Sequence, residues 1–207
     1  MIEAIRAAAQ AEHLDIVGAL HEGDETVVLL GPLQPGFWPH VRGSDELQDG
    51  QRNPLDRWSK RVITALARRF EAEALFPSDG PPYPPFISWA LASHQAFLSP
   101  VGMLVHDSAG LFISYRGALR LSGHLELPEQ AHAPCTPCSQ PCRSACPVDA
   151  LSETAYDVDA CIAHILGPDS KSCRTQGCAA RRACPVSQTY GRLPEQSAFH
   201  MRAFLGE

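Results

Sequence analysis

Cys135-Thr136-Pro137-Cys138-Ser139-Gln140-Pro141-Cys142-Arg143-Ser144-Ala145-Cys146-Pro147 is the stretch on which the reading of this 207-residue chain turns. Cys161, Cys173, Cys178 and Cys184 follow, the last again before a proline, and no cysteine precedes residue 135. All eight therefore fall within the fifty residues 135–184, a density that belongs to a disulfide scaffold or to a metal-thiolate region. The N-terminus, Met1-Ile2-Glu3-Ala4-Ile5-Arg6, carries an acid and lacks the apolar run of a secretory signal. Nothing in it directs the chain to a compartment where disulfides persist, so free thiols and a cytoplasmic location are expected. Haem c attachment fails as well, because Ser139 stands where that motif requires histidine.

The spacing Cys-x2-Cys-x3-Cys-x3-Cys-Pro lies one residue from the bacterial ferredoxin run, in which three thiolates grip one iron-sulfur cluster and the fourth, before proline, reaches the other. Four thiolates per cubane, twice over, would use every cysteine present. Zinc is the plainer competitor, since two four-cysteine sites need the same eight ligands. Against it, a single Cys-x2-Cys occurs where paired structural zinc sites usually show two, and tetrahedral zinc gives no reason for either Cys-Pro step.

Working outward, 44% apolar and 19% charged residues describe a globular chain rather than a disordered one. The longest apolar runs, such as 26–30 and 86–92, fall far short of the roughly 18 residues of a membrane-spanning helix, so no membrane partner is expected. The formal charge of −6 argues against a nucleic-acid backbone as the main partner, because such affinity comes largely from basic residues.

Before the cysteines, Ile2, Ile5 and Ala9 share one face of a first helix, and residues 15–20 form a short apolar segment. Thr26 to Leu30 reads as a buried strand, and a loop rich in Gly and Pro follows. Asn53 and Pro54 read as a cap and first-position pair for a helix carrying Leu55, Trp58, Val62, Ile63, Leu66 and Phe70. Residues 77–85, with five prolines, cannot be regular structure, and 86–95 starts another helix. Residues 101–106 and 111–115 read as a hairpin across Asp107-Ser108-Ala109-Gly110, with 118–121 as a third strand. Helices mixed with a largely antiparallel sheet predict α+β. The composition turns to Pro, Glu, Gln and His over 127–134, which reads as a linker, so two consecutive domains, 1–126 and 127–207, are expected.

Cys146-Pro147-Val148-Asp149-Ala150-Leu151, then Asp159-Ala160-Cys161-Ile162, then a closing Cys-Pro resembles the dicluster ferredoxin module of the epoxyqueuosine reductases and related reductive dehalogenases. The spacings Cys138 to Cys142, Cys173 to Cys178 and Cys178 to Cys184 are longer than in that module. The resemblance implies two 4Fe-4S clusters. By analogy with two-cluster ferredoxins, Cys135, Cys138, Cys142 and Cys184 would hold one, and Cys146, Cys161, Cys173 and Cys178 the other.

In those enzymes the module follows a nitroreductase-like cobalamin-binding domain. Asn53-Pro54-Leu55-Asp56-Arg57-Trp58 and Ala109-Gly110-Leu111-Phe112-Ile113-Ser114-Tyr115-Arg116-Gly117 look like the CblC-type cobalamin-processing proteins, and Asp79-Gly80-Pro81-Pro82 resembles a loop whose aspartate donates a proton. The resemblance thus implies a corrinoid pocket with Tyr83, Gly110, Tyr115, Arg116 and Gly117 as cofactor-binding candidates and Asp79 as an acid. It also implies electrons fed singly from the clusters by a donor protein or flavoprotein.

Each of these residues has a plainer reading: Gly110, Gly117 and Asp79 as turn residues, Arg116 as partner to a surface carboxylate, Tyr83, Phe86 and Trp89 as packing, and His94 and His106 as core or surface histidines. The alternative function is a ferredoxin-type carrier whose N-terminal domain docks a partner; a flavin is a third reading, without a basic phosphate-binding stretch to support it. No arginine occupies Leu98-Ser99-Pro100, so glutathione chemistry is not carried over. The chain ends 23 residues after Cys184, without the basic repeat extension that helps those reductases hold tRNA, so direct action on tRNA is not expected.

Overall fold

The structure is a computed structural model that describes residues 1–168 and 170–207. The chain forms two compact units, one from Met1–Ala96 with Ser114–Ala131 and one from Phe97–Ile113 with His132–Glu207. In chain order it begins with α1 (Ile2–Ala11), β1 (Leu14–Glu22), β2 (Glu25–Pro32), α2 (Phe37–Arg42), α3 (Asp45–Gln48) and α4 (Pro54–Arg69). Then come β3 (Glu73–Leu75), α5 (Phe86–Ala92), β4 (Ala96–Leu98), β5 (Leu104–His106) and β6 (Gly117–Ser122). After a 3-10 turn at Pro141–Arg143, the rest is helical: α6 (Val158–Leu166), α7 (Lys171–Gln176), α8 (Ala179–Ala183), α9 (Pro185–Thr189) and α10 (Pro194–Phe204). This is a mixed helical and antiparallel-sheet protein, and none of its described helices is long and apolar enough to cross a membrane.

In the first unit the sheet order is β1-β2-β6-β3, antiparallel throughout. The β1-β2 hairpin closes on Gly23-Asp24, with positive φ at Gly23 alone, the pattern of a type II′ turn. Val27 to Leu30 are fully buried in the interior strand β2, and Ala118 and Leu119 in its neighbour β6. Helix α4 lays Val62, Ile63 and Leu66 on this core, and Trp58 meets Phe37 edge to face at 5.5 Å between centroids. Pro54 opens α4 at its first position as expected, but Asn53 sits in left-handed conformation and makes no side-chain cap bond.

Several sequence expectations give way. The Gly/Pro-rich segment after β2 contains two short helices, α2 and α3. The expected strand over 111–115 does not form. His106 and Gly110 close a tight loop by exchanging backbone hydrogen bonds at 3.0 Å. Beyond it the Leu111 N–H donates to Ser187 Oγ at 2.9 Å, while Arg181 donates to the Leu111 carbonyl at 2.7 Å. Side chains from α8 and α9 thus take the bonds a strand partner would have taken. Strand β5 instead pairs with β4 in a two-stranded ribbon.

The division of the chain also differs from two consecutive parts. Residues 97–113 lie with the cysteine region, where Val101, Val105 and Leu111 pack against Cys142, Ala180 and Cys184. The cysteine segment is poor in large aliphatic residues, and this insertion supplies part of its core.

Candidate metal centre

Turns and helix ends position the thiols. Gln140, left-handed at φ 57°, turns the chain into the 3-10 turn that carries Cys142, and Asp149, also left-handed, follows Cys146-Pro147. Cys161 lies in the first turns of α6, which Asp157 caps by accepting the Ala160 N–H at 2.9 Å. Cys173 sits in α7 and Cys178 caps α8. Cys184 ends α8 and begins α9, with Pro185 at the first helical position. The second Cys-Pro step is therefore a helix-to-helix corner, where a proline lacking an amide donor costs nothing.

All eight cysteines are free thiols. They stand in two electrostatic groups. Burial, followed by the thiols of Cys142, Cys184 and Cys138, pushes the Cys135 thiol up from its ordinary pKa. Cys142 is raised by burial, then by Cys184 and Cys138. Cys161 is raised by burial and by Cys178, Cys146 and Cys173, against a hydrogen bond from Tyr156 that lowers it. Cys135, Cys138, Cys142 and Cys184 thus act on one another, as do Cys146, Cys161, Cys173 and Cys178, and both Cys135 and Cys178 pack against the core that holds Cys142 and Cys184. Thiols that hinder one another's ionisation would be held as thiolates by a bound metal centre. Among the described residues no three His, Cys, Asp or Glu side chains close on one point as the ligands of a single ion do.

The backbone already offers donors to sulfur. Gln140 N–H lies 3.2 Å from Cys138 Sγ, and Ala150 N–H lies 3.3 Å from Cys146 Sγ.

The candidates of the first unit are less concentrated. Asp79, 39% exposed, pairs with Lys60 Nζ at 2.7 Å, so the desolvated setting expected of the proline loop is not what surrounds it. Arg116 pairs with Asp56 at 3.6 Å. Asp56 and Lys60 are one helical turn apart on α4, so that helix engages both charged candidates. Tyr83 is 64% exposed. Tyr115 approaches Phe86 at 6.3 Å between centroids, and Phe86 and Trp89 are buried as packing residues.

Gly117 lies in β6, where a Cβ would stand 2.8 Å from Ile63 Cδ1; its bareness lets α4 close on the sheet. Gly110, in the second unit, has φ +57° and no room for a side chain beside Ser187. His106 is buried, its Nδ1 2.8 Å from Asp107 and accepting backbone N–H groups from Ser108 and Ala109. It is a core histidine.

Two residues escaped the sequence reading. Tyr156, 46% exposed, has its phenol pushed up by partial desolvation and by the neighbouring Cys161 thiol. Arg181 is held by the Leu111 carbonyl and feels Cys178 and Tyr156. The available signal was position: Arg181 follows Cys178 by three residues, one turn of helix. Tyr156 had no periodic signal, because an isolated bridge to Leu151 rather than a helix carries it toward Cys161.

Set against known proteins, the chain matches no family, no curated protein and no solved structure.

Proposed function

We propose that the chain is a cytoplasmic iron-sulfur electron-transfer protein whose two sets of four cysteines each hold a 4Fe-4S cluster. The observation that carries this is the grouping of the thiols: Cys142 and Cys184 share one buried core against which Cys135 and Cys178 pack, and Cys178, Cys146 and Cys173 disfavour the ionisation of Cys161. The residues fit the group. Each set offers four thiols, backbone N–H groups already point at two of the sulfurs, and every thiol is free. A cubane takes its thiolates on four separate irons, a wider frame than the spokes of about 2.3 Å around one zinc. When bound, such clusters supply one-electron transfer with little rearrangement. What the chain does is hold eight sulfurs on short helices and turns, bury three of them, and keep donors beside them.

The electrons, in this reading, pass singly to a corrinoid held by a nitroreductase-like first unit, in reduction or processing of cobalamin or in its reductive use. The support for that half is the resemblance of residues 53–58, 79–82 and 109–117 quoted above. A second reading, a ferredoxin-type carrier whose first unit docks a partner enzyme, is favoured by a specific observation: α4 already engages Asp79 and Arg116, and Tyr83 faces solvent. The separating experiment is anaerobic reconstitution with iron and sulfide followed by titration of cob(II)alamin under electron paramagnetic resonance. Dithionite-bleachable visible absorption with a changed cobalt spectrum supports the first reading. The same absorption with an unchanged cobalt spectrum leaves the plain carrier, and no such absorption removes both.

A further inference from the structure

Helix α6 leaves an apolar face without a partner. Val158, Ile162 and Leu166 recur at four-residue spacing along it, so they share one side of the helix, and Val158 and Leu166 are exposed. The side chain that α6 buries is Ile165.

The chain leading into α6 extends this face. Asp157 N–H donates to the Ala150 carbonyl at 2.8 Å, and Leu151 bridges Tyr156 in antiparallel sense. The arm carrying Val148 and Asp149 therefore runs beside the arm that enters the helix. Val148 and Tyr156 are exposed, and the Tyr156 ring stacks on the exposed Phe204 at 6.4 Å between centroids. Val148, Tyr156, Val158, Leu166 and Phe204 thus leave large apolar side chains in water on and beside one short helix, whereas scattered single ones would need no explanation.

The charge around this face identifies what fits it. Asp149, Glu153, Asp157 and Asp159 are exposed on the same stretch, and no lysine or arginine lies between Arg143 and Lys171 to neutralise them. Asp157 accepts the Ala160 N–H as the cap of α6, and among the described residues no cation pairs with any of the four. Residues 130–148, which carry the first four cysteines, hold no acid and one arginine, so the carboxylates gather on this side alone of the cysteine run. An apolar centre with a rim of unneutralised carboxylates fits a partner whose own apolar patch is ringed by lysine or arginine. A second copy would set the same carboxylates against these, and its net charge of −6 would repel on approach. Cys146 and Cys161, both half-buried, flank the face: Cys146 Sγ receives the Ala150 N–H at 3.3 Å, and Cys161 follows Val158 in the first turn of α6.

We propose that the exposed face of α6 with residues 148–159 is the docking surface for a one-electron redox protein whose cofactor edge is ringed by lysine or arginine. This rests on the reading of Cys146 and Cys161 as cluster ligands. In the encounter one electron leaves the reduced cofactor of one protein and enters the oxidised cofactor of the other; no bond breaks and no proton moves. The carboxylates steer the approach, and the apolar side chains make the contact once water leaves.

The test is stopped-flow oxidation of the full-length reconstituted protein, reduced and freed of reductant without oxygen, by ferric cytochrome c, a haem protein with a lysine-ringed haem edge. One electron passes from the cluster to the haem iron. The wild-type rate is expected to fall steeply with added salt. The triple variant Asp149→Asn, Glu153→Gln, Asp159→Asn spares the α6 cap, and asparagine tolerates the left-handed backbone at position 149. It should react about tenfold more slowly at low salt and with a flatter salt dependence. The triple variant Asp24→Asn, Glu126→Gln, Glu129→Gln removes the same charge from exposed positions of the first unit and should stay within about twofold of wild type. Leu166→Ser, at an exposed position, should slow the reaction by about threefold at physiological salt, where steering is screened. Loaded protein in which the two triple variants slow alike, or the first does not slow, or Leu166→Ser does not slow, overturns the proposal and leaves the cluster reading intact. Sedimentation that shows self-association abolished by Leu166→Ser assigns the face to a second copy and also overturns it. Protein that takes up no sulfide overturns the cluster reading and this proposal with it.

Discussion

A carboxyl group donates a proton near neutral pH only where its surroundings disfavour the charged form. Asp79 is 39% exposed and pairs with Lys60 Nζ at 2.7 Å, so no desolvated pocket surrounds it. Asp79→Asn is therefore expected to change stability by no more than about 1 kcal/mol, as exposed ion pairs do, and to leave bound iron and sulfide unchanged; chemical denaturation and metal assays check this. A loss of about 10²-fold in a protonation-dependent turnover would return the acid role to it. Gly110 carries the opposite expectation. It combines positive φ with a Cβ position that would collide with the Ser187 backbone nitrogen, whereas Gly123, at φ +83°, has nothing within 4 Å. Gly110→Ala is expected to cost clearly more than Gly123→Ala, whose cost is the backbone strain of about 1 kcal/mol. Equal midpoints in urea for the two variants would contradict the packing at the Gly110 loop.

Helices α3 and α4 are tied by two ion pairs, Arg61 with Glu46 and Arg57 with Asp49. The hydrogen bond from Arg61, partly offset by burial, lowers the Glu46 carboxyl from an ordinary 4.5 to about 2. The folded pKa is depressed, so the unfolded chain binds the proton more tightly. The stabilisation is complete above the unfolded value of about 4.5 and is lost as the pH falls toward 2. Arg61 is 59% exposed, which keeps the effect modest. Glu46→Gln is expected to flatten the decline of the urea midpoint as the pH falls from 4.5 toward about 2; an unchanged slope contradicts the assignment. These same elements show what could be read in advance. Helix α4 was legible because its apolar residues recur at helical spacing behind Pro54. Helix α2 was not, because Pro35, Gly36, Pro39 and Gly43 carry loop signals while burial of Phe37, Trp38 and Val41 decides the outcome. The strand expected at 111–115 failed because side chains 70 and 76 residues further along the chain took its backbone bonds, and no local pattern encodes that.

At the scale of the whole chain, spacing and resemblance lead to an expectation of two sets of four cysteines, whereas the dependence of that region on residues 97–113 has no local signal. The segment 135–184 has few large apolar side chains to bury, so the fold recruits Val101, Val105 and Leu111 from before the linker. Leu111, fully buried, is the strongest probe of this. Leu111→Ala is expected to destabilise the second unit by about 2–5 kcal/mol and to speed the loss of visible absorption in air, while Val28→Ala, in the first unit, should leave that rate near wild type. Equal rates of bleaching in the two variants would contradict the division of the chain. The central claim, however, is chemical, and the most direct measurement of it is the metal and sulfide content of the full chain purified without oxygen. The expected result is about eight irons and eight acid-labile sulfides per chain, two four-iron cubanes on eight thiolates. About two zinc ions per chain with no sulfide, as two four-cysteine zinc sites would give, would contradict it.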